Sequence, residues 1–482
     1  MSDYVRQHPL LVVIEGLRSA PSYIGIAFIF SFTAGSAMNQ FVLFFIGALF
    51  FLLLLNLAFA AVNWMFFYYR YENGYMHIRH GIIFKKERSI KRERIQSINV
   101  YTNIVQRAVG LATLQIKTAG TEETEVNLRA LTLTEIDAIR SSLKGVSTEE
   151  GDAIEEPASV RKLEGRDLWL AGATSGRFLI LFSVIAFIGS QLFAYLPGTV
   201  FDMLIDEVTS IPLDTIAMLL VALLVLSYIL SVVVFVVQYY GFRIERYDDR
   251  LELRWGVIKQ NHITVGLHRI QALSVQEGLI RQPLGLCTLL MEVAGGDSEG
   301  GQEQVSMLLP LIRTEEVAGL LSEVLPEYGL PDTYEPLPER ARIRYLIRAL
   351  VPTLAVSFII WQLLADNGQP YGFLVLALLI PAAVLGLSRH SNGGSSVDGT
   401  QLTLRFRDIN RYHVLIKRRH AQSMTVTANP LQRYKTLRTL NVPVLSSPLA
   451  KIFDLKDIDS QEAQRIWCWY SQRSRCKGRQ DS

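Results

Sequence analysis

Three long blocks that are almost free of charge constrain this chain more than any other feature. The first runs from Ser19 to Tyr69 without a single Asp, Glu, Lys or Arg. The second, Phe178 to Phe242, has four acidic residues in its middle, and the third, Ala349 to Ser388, has only Asp366. A membrane helix needs about 20 residues, so each block can hold two spans joined by a turn. We therefore predict six transmembrane helices arranged as three hairpins.

The alternative, a large soluble core, fits these blocks poorly. A helix at the surface of a soluble core shows an apolar stripe, whereas these segments are apolar on all sides. From Phe41 to Ala61, only Gly47 and Asn56 interrupt the apolar run. The whole chain is 50% hydrophobic and 19% charged, which argues against a disordered protein and against a nucleic-acid partner.

The basic residues predict the orientation of the hairpins. All 48 Lys and Arg residues lie outside the three blocks. The positive-inside rule then places both termini and the three intervening segments in the cytoplasm. The acidic loop at 196–214 falls on the opposite side of the membrane.

A strand-rich segment recurs after each hairpin. Its aligned cores are Arg94–Val100, Arg269–Val275 and His420–Val426. The match between the first two copies continues to Gly110 and Gly285, where the third copy has Thr436. Self-similarity over this length indicates three related domains, of which the third is divergent.

One glutamine persists in all three cores while its neighbours change. These residues are Gln96, Gln271 and Gln422. A side-chain amide that bridges two backbone strands would explain this persistence without a ligand. A contact with a ligand or a partner is the alternative. We favour a structural role for the three glutamines, and likewise for Gly110 and Gly285.

Each copy is predicted to contain antiparallel strands followed by one helix. The runs Tyr75–Arg79 and Leu251–Trp255 alternate as strands do. Candidate helices begin at Thr134, Thr314 and Ser460, and the hydroxyl at each start can cap its helix. This order is typical of a pleckstrin-homology-like (PH-like) barrel or sandwich with a C-terminal helix, although other small barrels also fit. The predicted fold class is therefore an α+β membrane protein.

The predicted map alternates membrane hairpins with PH-like domains. Its segments are an N-terminal amphipathic segment at 1–18, hairpin 1 at 19–69, PH-like domain 1 at 70–145, a linker and amphipathic segment at 146–177, hairpin 2 at 178–242, PH-like domain 2 at 243–330, a linker at 331–348, hairpin 3 at 349–388, PH-like domain 3 at 389–473, and a basic tail at 474–482.

The sequence resembles the bacterial membrane-flanked proteins with PH-like domains (the YdbT-type, bPH2 family). The residues that carry the resemblance are the Arg-Ile-Gln cores at 94–96 and 269–271 and the Gly-Leu-x-Thr-Leu runs at 110–114 and 285–289. The resemblance implies three cytoplasmic domains on paired helices of the bacterial plasma membrane. It also implies a small companion membrane protein with one such domain, and it supplies no established reaction or ligand.

Motifs of catalysis are absent from the sequence. No GxxxxGK[ST] or HExxH pattern occurs, and the GxSxG string at 296–300 lies in a glycine cluster typical of a loop rather than of a nucleophile elbow, so we expect no enzyme activity, no metal and no cofactor.

Basic clusters are the remaining candidate sites for lipid or a partner. Held beside anionic headgroups, each charge contributes about 1 kcal/mol. A role limited to topology and solubility is the alternative, with similar weight. The candidates are Lys85, Lys86, Arg88, Lys91, Arg92 and Arg94 in copy one, Arg269 in copy two, and Lys417, Arg418 and Arg419 in copy three.

Together these observations predict a non-catalytic membrane scaffold. Its cytoplasmic PH-like domains would bind anionic lipid headgroups, the companion protein, or both. The alternative is a transporter or lipid-moving protein that uses the six helices. Transport sites usually place ionisable groups in mid-membrane, and the predicted spans carry none.

Overall fold

A computed structural model describes most of the chain, and it divides into two compact units, Met1–Gly266 and Leu267–Ser482. The boundary lies inside the second repeat. Each unit is described by itself. The described residues are 4–16, 39–72, 75–81, 84–91, 95–102, 104–118, 125–144, 157–193, 212–294, 306–366, 372–446 and 451–471.

The first unit holds the first repeat and the first half of the second. Its elements are β1 (Val5–Arg6), α1 (Asn39–Met65), β2 (Tyr68–Glu72), β3 (Tyr75–His80), β4 (Lys86–Lys91), β5 (Ile95–Thr102), α2 (Ile104–Ala108), β6 (Leu111–Thr118), β7 (Glu125–Thr132), α3 (Leu133–Lys144), β8 (Ser159–Lys162), α4 (Gly165–Ala173), α5 (Phe178–Phe193), α6 (Leu213–Tyr239), β9 (Arg243–Arg246), β10 (Arg250–Trp255) and β11 (Gln260–Gly266).

The second unit holds the rest of the second repeat and the third. Its elements are β12 (Ile270–Glu277), β13 (Leu286–Val293), β14 (Ser306–Arg313), α7 (Val317–Val324), β15 (Glu335–Pro336), α8 (Arg342–Asp366), α9 (Leu379–Ser391), β16 (Gly394–Asp398), β17 (Gln401–Arg407), β18 (Arg411–Lys417), β19 (Thr425–Thr427), α10 (Pro430–Tyr434), β20 (Leu437–Val444), β21 (Lys451–Asp459) and α11 (Ser460–Ser471), with 3-10 turns at Leu267–Arg269, Gln282–Leu284, Thr314–Glu316, Glu339–Ala341, Gly372–Leu378 and Arg418–His420.

Three helices of the described residues are long and apolar enough to cross a membrane. They are Gly47–Met65, Ala217–Tyr239 and Glu339–Gln362, and the pair α4 and α5, bent by 57°, would make a fourth span if counted as one. The apolar helix Val375–Ser391 is shorter. The first predicted span of hairpin 1 lies in 17–38, outside the described residues. Six spans therefore stay a prediction.

Both units contain a seven-stranded antiparallel sheet that combines two successive repeats. In the first unit the order is β7-β6-β5-β11-β10-β9-β8, beside a four-stranded sheet β1-β2-β3-β4. Strand β5 of repeat one pairs with β11 of repeat two, with Thr102 opposite Gln260. The second half of one repeat therefore shares a sheet with the first half of the next.

The second unit repeats this arrangement with a longer junction. Its order is β14-β13-β12-β18-β17-β16-β15, beside a three-stranded sheet β19-β20-β21. Strands β12 and β18 pair from Ala272–Ile416 to Glu277–Arg411. Burial raises the pKa of Glu277, but His413 at 3.3 Å and the donated hydrogen bond from Arg411 outweigh it and hold the pKa below its usual range. Glu277 and Arg411 thus form a charged contact between β12 and β18 at this junction.

A short strand precedes each predicted hairpin and joins the sheet that follows it. Strand β1 pairs with β2, β8 with β9, and β15 with β16. The sequence analysis placed these residues in amphipathic or linker segments. Strands of two to four residues are too short to show the alternation from which a strand is predicted.

The cores join two sheets and a helix, as expected for PH-like domains. In repeat one, Met76 and Ile78 lie in one buried cluster with Leu114, Leu128 and Ile136 of α3. In repeat three, Leu404 and Ile416 share a cluster with Leu440, Leu455 and Ile466 of α11. The apolar alternation of the strands and the apolar face of the last helix therefore close each core.

The C-terminal helices were placed correctly, but not their caps. Helix α3 begins after Thr132, which forms a capping box with Glu135: the Glu135 carboxylate accepts from Thr132 N at 2.8 Å, and Glu135 N donates to Thr132 Oγ1 at 3.3 Å. At α11, Asp459 rather than Ser460 accepts from Gln461 N, at 2.8 Å. In both cases the cap lies upstream of the predicted residue, because the cap residue itself is still extended.

The repeated glycine marks a left-handed turn in all three copies. Gly110 has φ +70°, Gly285 +65° and Thr436 +51°. Each amide donates to the carbonyl three residues earlier, at 3.1–3.2 Å. The third repeat therefore keeps the turn but forms it with a β-branched residue, for which this conformation is strained.

We predict that Thr436→Gly stabilises the protein and Gly285→Thr destabilises it. The left-handed conformation destabilises a residue with a Cβ by about 1–2 kcal/mol. Replacing that residue with glycine removes this cost, but the larger conformational entropy that glycine loses on folding offsets about 0.5–1 kcal/mol of the gain. An added Cβ at Gly285 meets no atom within 4 Å, so its cost is that of the backbone alone. Thermal unfolding of the full chain in detergent, followed by tryptophan fluorescence, measures both. Equal melting temperatures for Thr436→Gly and the unmodified protein would show that the turn is not strained.

Candidate functional site

The first predicted basic cluster begins one residue before strand β4 and runs along it. Lys85, Lys86 and Lys91 are exposed and Arg88 is half-buried. Successive strand residues point to opposite faces, so Lys86 and Arg88 share the face of buried Ile90, and Lys91 lies on the other. The remaining two members, Arg92 and Arg94, lie outside the described residues.

The third-repeat cluster is engaged by its own surroundings. The Lys417 ammonium lies 5.3 Å from the Tyr328 ring centre and the Arg418 guanidinium 5.8 Å from that of Trp469. Arg419 pairs with Glu327 at 2.6 Å. Burial lowers the pKa of Lys417. These three cations already contact aromatic rings or a carboxylate. Less of their charge is therefore available to a ligand than the sequence alone indicated.

Arg269 has the surroundings of a structural residue. It is buried, and its guanidinium donates to the carbonyl of Ala294. Burial lowers the pKa of Arg269. Its neighbour Gln271 donates to the Arg269 carbonyl at 3.3 Å. Gln422 is exposed, and the Gln96 side chain lies outside the described part of the chain, so the bridging role of this glutamine stays a prediction.

A different buried polar pair recurs in each repeat and was missed in the sequence. Gln106 donates to Thr113 Oγ1 at 2.9 Å, and Gln432 donates to Thr439 Oγ1 at 2.8 Å. In the second repeat, Arg281 donates to Thr288 Oγ1. The pairs share a spacing of seven residues across the left-handed turn. The constant spacing of seven residues between donor and threonine could have revealed these pairs in the sequence. It was not recognised because the donor is an arginine in the second copy and a glutamine in the other two.

In the third repeat this pair extends to a buried carboxylate. Asp457 is fully buried and accepts from Gln432 at 2.8 Å. It also accepts from Arg344 at 2.9 Å and from Arg348 at 2.8 Å. Both arginines lie in the first turns of α8, so Asp457 holds the start of this candidate membrane helix against β21.

A cavity of about 760 Å³ lies in the first unit, where repeat one meets repeat two. Val100 and Thr102 of β5, Ile136 and Asp137 of α3, and residues of β8 to β11 form its walls. Tyr240 and Gly241, directly after α6, also line it. The cavity therefore opens at the end of a helix that is long and apolar enough to cross a membrane.

The cavity has an excess of positive charge. Arg254 lies 3.1 Å from Glu252 and 3.5 Å from Glu245. Burial raises the pKa of Glu252, but hydrogen bonds with His262, Arg254 and Arg250 outweigh this and hold it well below its usual range. The charged and titratable wall residues are Arg107, Lys162, Arg243, Arg254, His262 and Asp137.

Two of these cations stand apart from the carboxylates. Arg107 donates to the Val257 carbonyl at 3.3 Å, and Lys162 is exposed. Within the described part of the chain, neither has a carboxylate partner. Their charge remains available to an anion in the cavity.

The chain matches a known protein family. The profile of the bacterial PH domain (bPH_2) matches residues 25–146 and 180–325. The chain belongs to the bacterial PH domain family. The two matched segments contain both sides of the cavity, except for Lys162 and Leu163, which lie between them.

A curated relative extends the family relationship over the whole chain. The UPF0699 transmembrane protein YdbT of Bacillus subtilis (strain 168) is 28% identical over an alignment of 498 positions, which covers 98% of this chain and 99% of that protein. This bacterial PH domain protein is therefore similar, over almost its whole length, to a protein described as a transmembrane protein. The third repeat lies beyond the profile match but within this alignment.

We predict that Gln432→Leu costs about 1–3 kcal/mol, because it removes the donor to Thr439 and one of the three donors to buried Asp457. Gln422→Leu is the matched control and should change stability by less than about 0.5 kcal/mol, since Gln422 is exposed. Chemical unfolding of both variants in detergent measures the difference. A larger cost for Gln422→Leu would return the structural role to the glutamine that the sequence singled out.

Proposed function

We propose that this protein is a non-catalytic membrane scaffold whose PH-like domains bind anionic lipid headgroups and a small companion membrane protein with one PH-like domain. The observation that carries the lipid part is the cationic cavity at the end of α6. A headgroup there would meet Arg107 and Lys162, which have no carboxylate partner among the described residues, while its acyl chains remain beside the membrane-spanning helix. Basic pockets between membrane helices commonly bind acidic headgroups.

The chemistry of the described residues supports a binding role. They contain no group of three His, Cys, Asp or Glu side chains placed to hold a metal. Burial raises the pKa of the Cys287 thiol to about 12, so this cysteine is a poor nucleophile. Nothing in the described helices favours the alternative transport function.

The companion protein is proposed from the family resemblance. The exposed lysines of β4 are the surface we assign to it, because Lys85, Lys86 and Lys91 remain accessible. An acidic strand on the partner would complement them.

We predict that Arg107→Gln/Lys162→Gln lowers the affinity for phosphatidylglycerol about 30-fold, at about 1 kcal/mol per charge. Native mass spectrometry of the full chain in detergent, titrated with phosphatidylglycerol or phosphatidylcholine, measures retention. Arg313→Gln/Lys456→Gln removes two exposed cations outside the cavity and should leave retention unchanged. Equal losses in both double variants, or equal retention of both lipids by the unmodified protein, would contradict a site in the cavity.

We also propose that the protein is a multi-pass protein of the bacterial plasma membrane with its termini and PH-like domains in the cytoplasm. The segregation of basic residues supports this orientation. Alkaline phosphatase inserted into the acidic 196–214 loop should be active, because that enzyme folds only outside the cytoplasm. The same insertion after Ser471 should be inactive. Activity in the second fusion and not in the first would reverse the orientation.

A further inference from the structure

An exposed apolar tip ends the β10–β11 hairpin of the first unit. Val257 is 40% exposed and Ile258 53%. Next to this tip lies α2 of the preceding repeat, with Val105 at 42% and Val109 at 46%. The bond from Arg107 to the Val257 carbonyl joins the two elements. We call these four side chains the first apolar patch.

The second unit has a patch of the same composition, built from equivalent elements. The tip of the β17–β18 hairpin carries Ile409, 58% exposed. Beside it, the loop after β12 carries Leu279, Ile280 and Leu284 at 56%, 47% and 57%. Arg407 donates to the Gln282 side chain, which joins the tip to this loop. These four side chains are the second apolar patch.

Each patch is bonded to the end of an apolar helix. In the first unit, Gly256 N donates to Tyr240 O at 2.9 Å and Val257 N to Val237 O at 3.4 Å. In the second unit, Arg389 at the end of α9 donates to the Asp408 carbonyl at 3.0 Å. Each patch is therefore held at the end of an apolar helix, and the first of these helices is long enough to cross a membrane.

The residues around the tips have the composition of a membrane interface. Tyr240, 61% exposed, and Lys259 flank the first patch, while Arg389 and Arg411 lie beside the second. Aromatic and basic side chains are enriched at the interface because their apolar parts enter it and their polar ends stay in water. A third tip, in repeat one, has Phe84 at 82% exposure followed by Lys85 and Lys86.

We propose that the two apolar patches insert into the lipid leaflet next to the helices that hold them. Contiguous exposed apolar surface marks an interaction site, and the nearest apolar phase to these helix ends is the membrane itself. The hairpin tips then act as wedges that keep the β-sheets against the bilayer surface. This inference does not depend on the headgroup cavity, since it concerns acyl chains rather than the anionic group.

The test places the photo-cross-linker p-benzoylphenylalanine at Ile258 and, separately, at Ile409. The full-length protein is reconstituted in vesicles of phosphatidylethanolamine and phosphatidylglycerol, irradiated and digested. Mass spectrometry then identifies adducts. We expect several-fold more lipid adducts, attached through acyl chains, at both positions than at a control position.

Ile452 is the control position because it is 61% exposed but lies on β21 five residues before Asp457, about 17 Å along the strand from the anchor of α8. Unchanged melting curves establish that each substituted protein is folded. Adducts on headgroups alone, cross-links to another polypeptide, or equal yields at Ile452 would each overturn the inference. Loss of phosphatidylglycerol selectivity in Lys162→Gln, which leaves the bond from Arg107 to Val257 in place, with acyl adducts intact, would separate this proposal from the proposed headgroup site.

Discussion

Backbone hydrogen bonds between successive repeats are the constraint on which the rest of the structure depends. Strand β5 uses one edge for its own repeat and the other for β11, and β12 does the same with β18. Buried strand amides and carbonyls must be paired. A single repeat cut from this chain would therefore expose strand edges that are satisfied in the intact protein. The repeats resemble independent domains in sequence, but their sheets are shared.

The same junctions fix the sheets relative to the apolar helices. Strand β11 is held by β5 on one side, while the tip of its hairpin is bonded to the end of α6. In the second unit, β18 is held by β12, and Arg405 and Arg411 of its hairpin donate to Asn392, directly after α9. A sheet cannot turn away from its helix without breaking both sets of bonds. The cavity and the apolar patches are therefore kept beside the ends of these apolar helices by the architecture.

Long-range patterns in the sequence predicted the order of the elements, because charge-free blocks and a threefold repeat survive local variation. They did not predict which repeat each strand pairs with. The same strand pattern is compatible with pairing inside a repeat or between repeats, and only the edge contacts decide. The cavity was equally hidden, since Thr102, Lys162 and Arg254 are separated by long stretches of sequence and share no motif. The buried polar pairs were hidden as well, because Gln106 and Arg281 donate to equivalent threonines with different side chains.

The divergence of the third repeat has a physical account in Asp457. In the second repeat, Arg281 donates to a neutral acceptor, the Pro310 carbonyl, at 3.0 Å. In the third repeat, Gln432 donates to the Asp457 carboxylate, which also accepts from two arginines of α8. Because the two arginines supply the positive charge, the third donor to Asp457 can be neutral. Asp457 has φ +59°, a conformation that aspartate tolerates better than most residues and that three donating side chains hold in place. Removing one partner of this network would leave the other buried groups uncompensated. The strained conformation and the buried charge of Asp457 are therefore both retained. The divergence of the third repeat therefore accompanies a direct bond between its sheet and the long apolar helix α8 that precedes it.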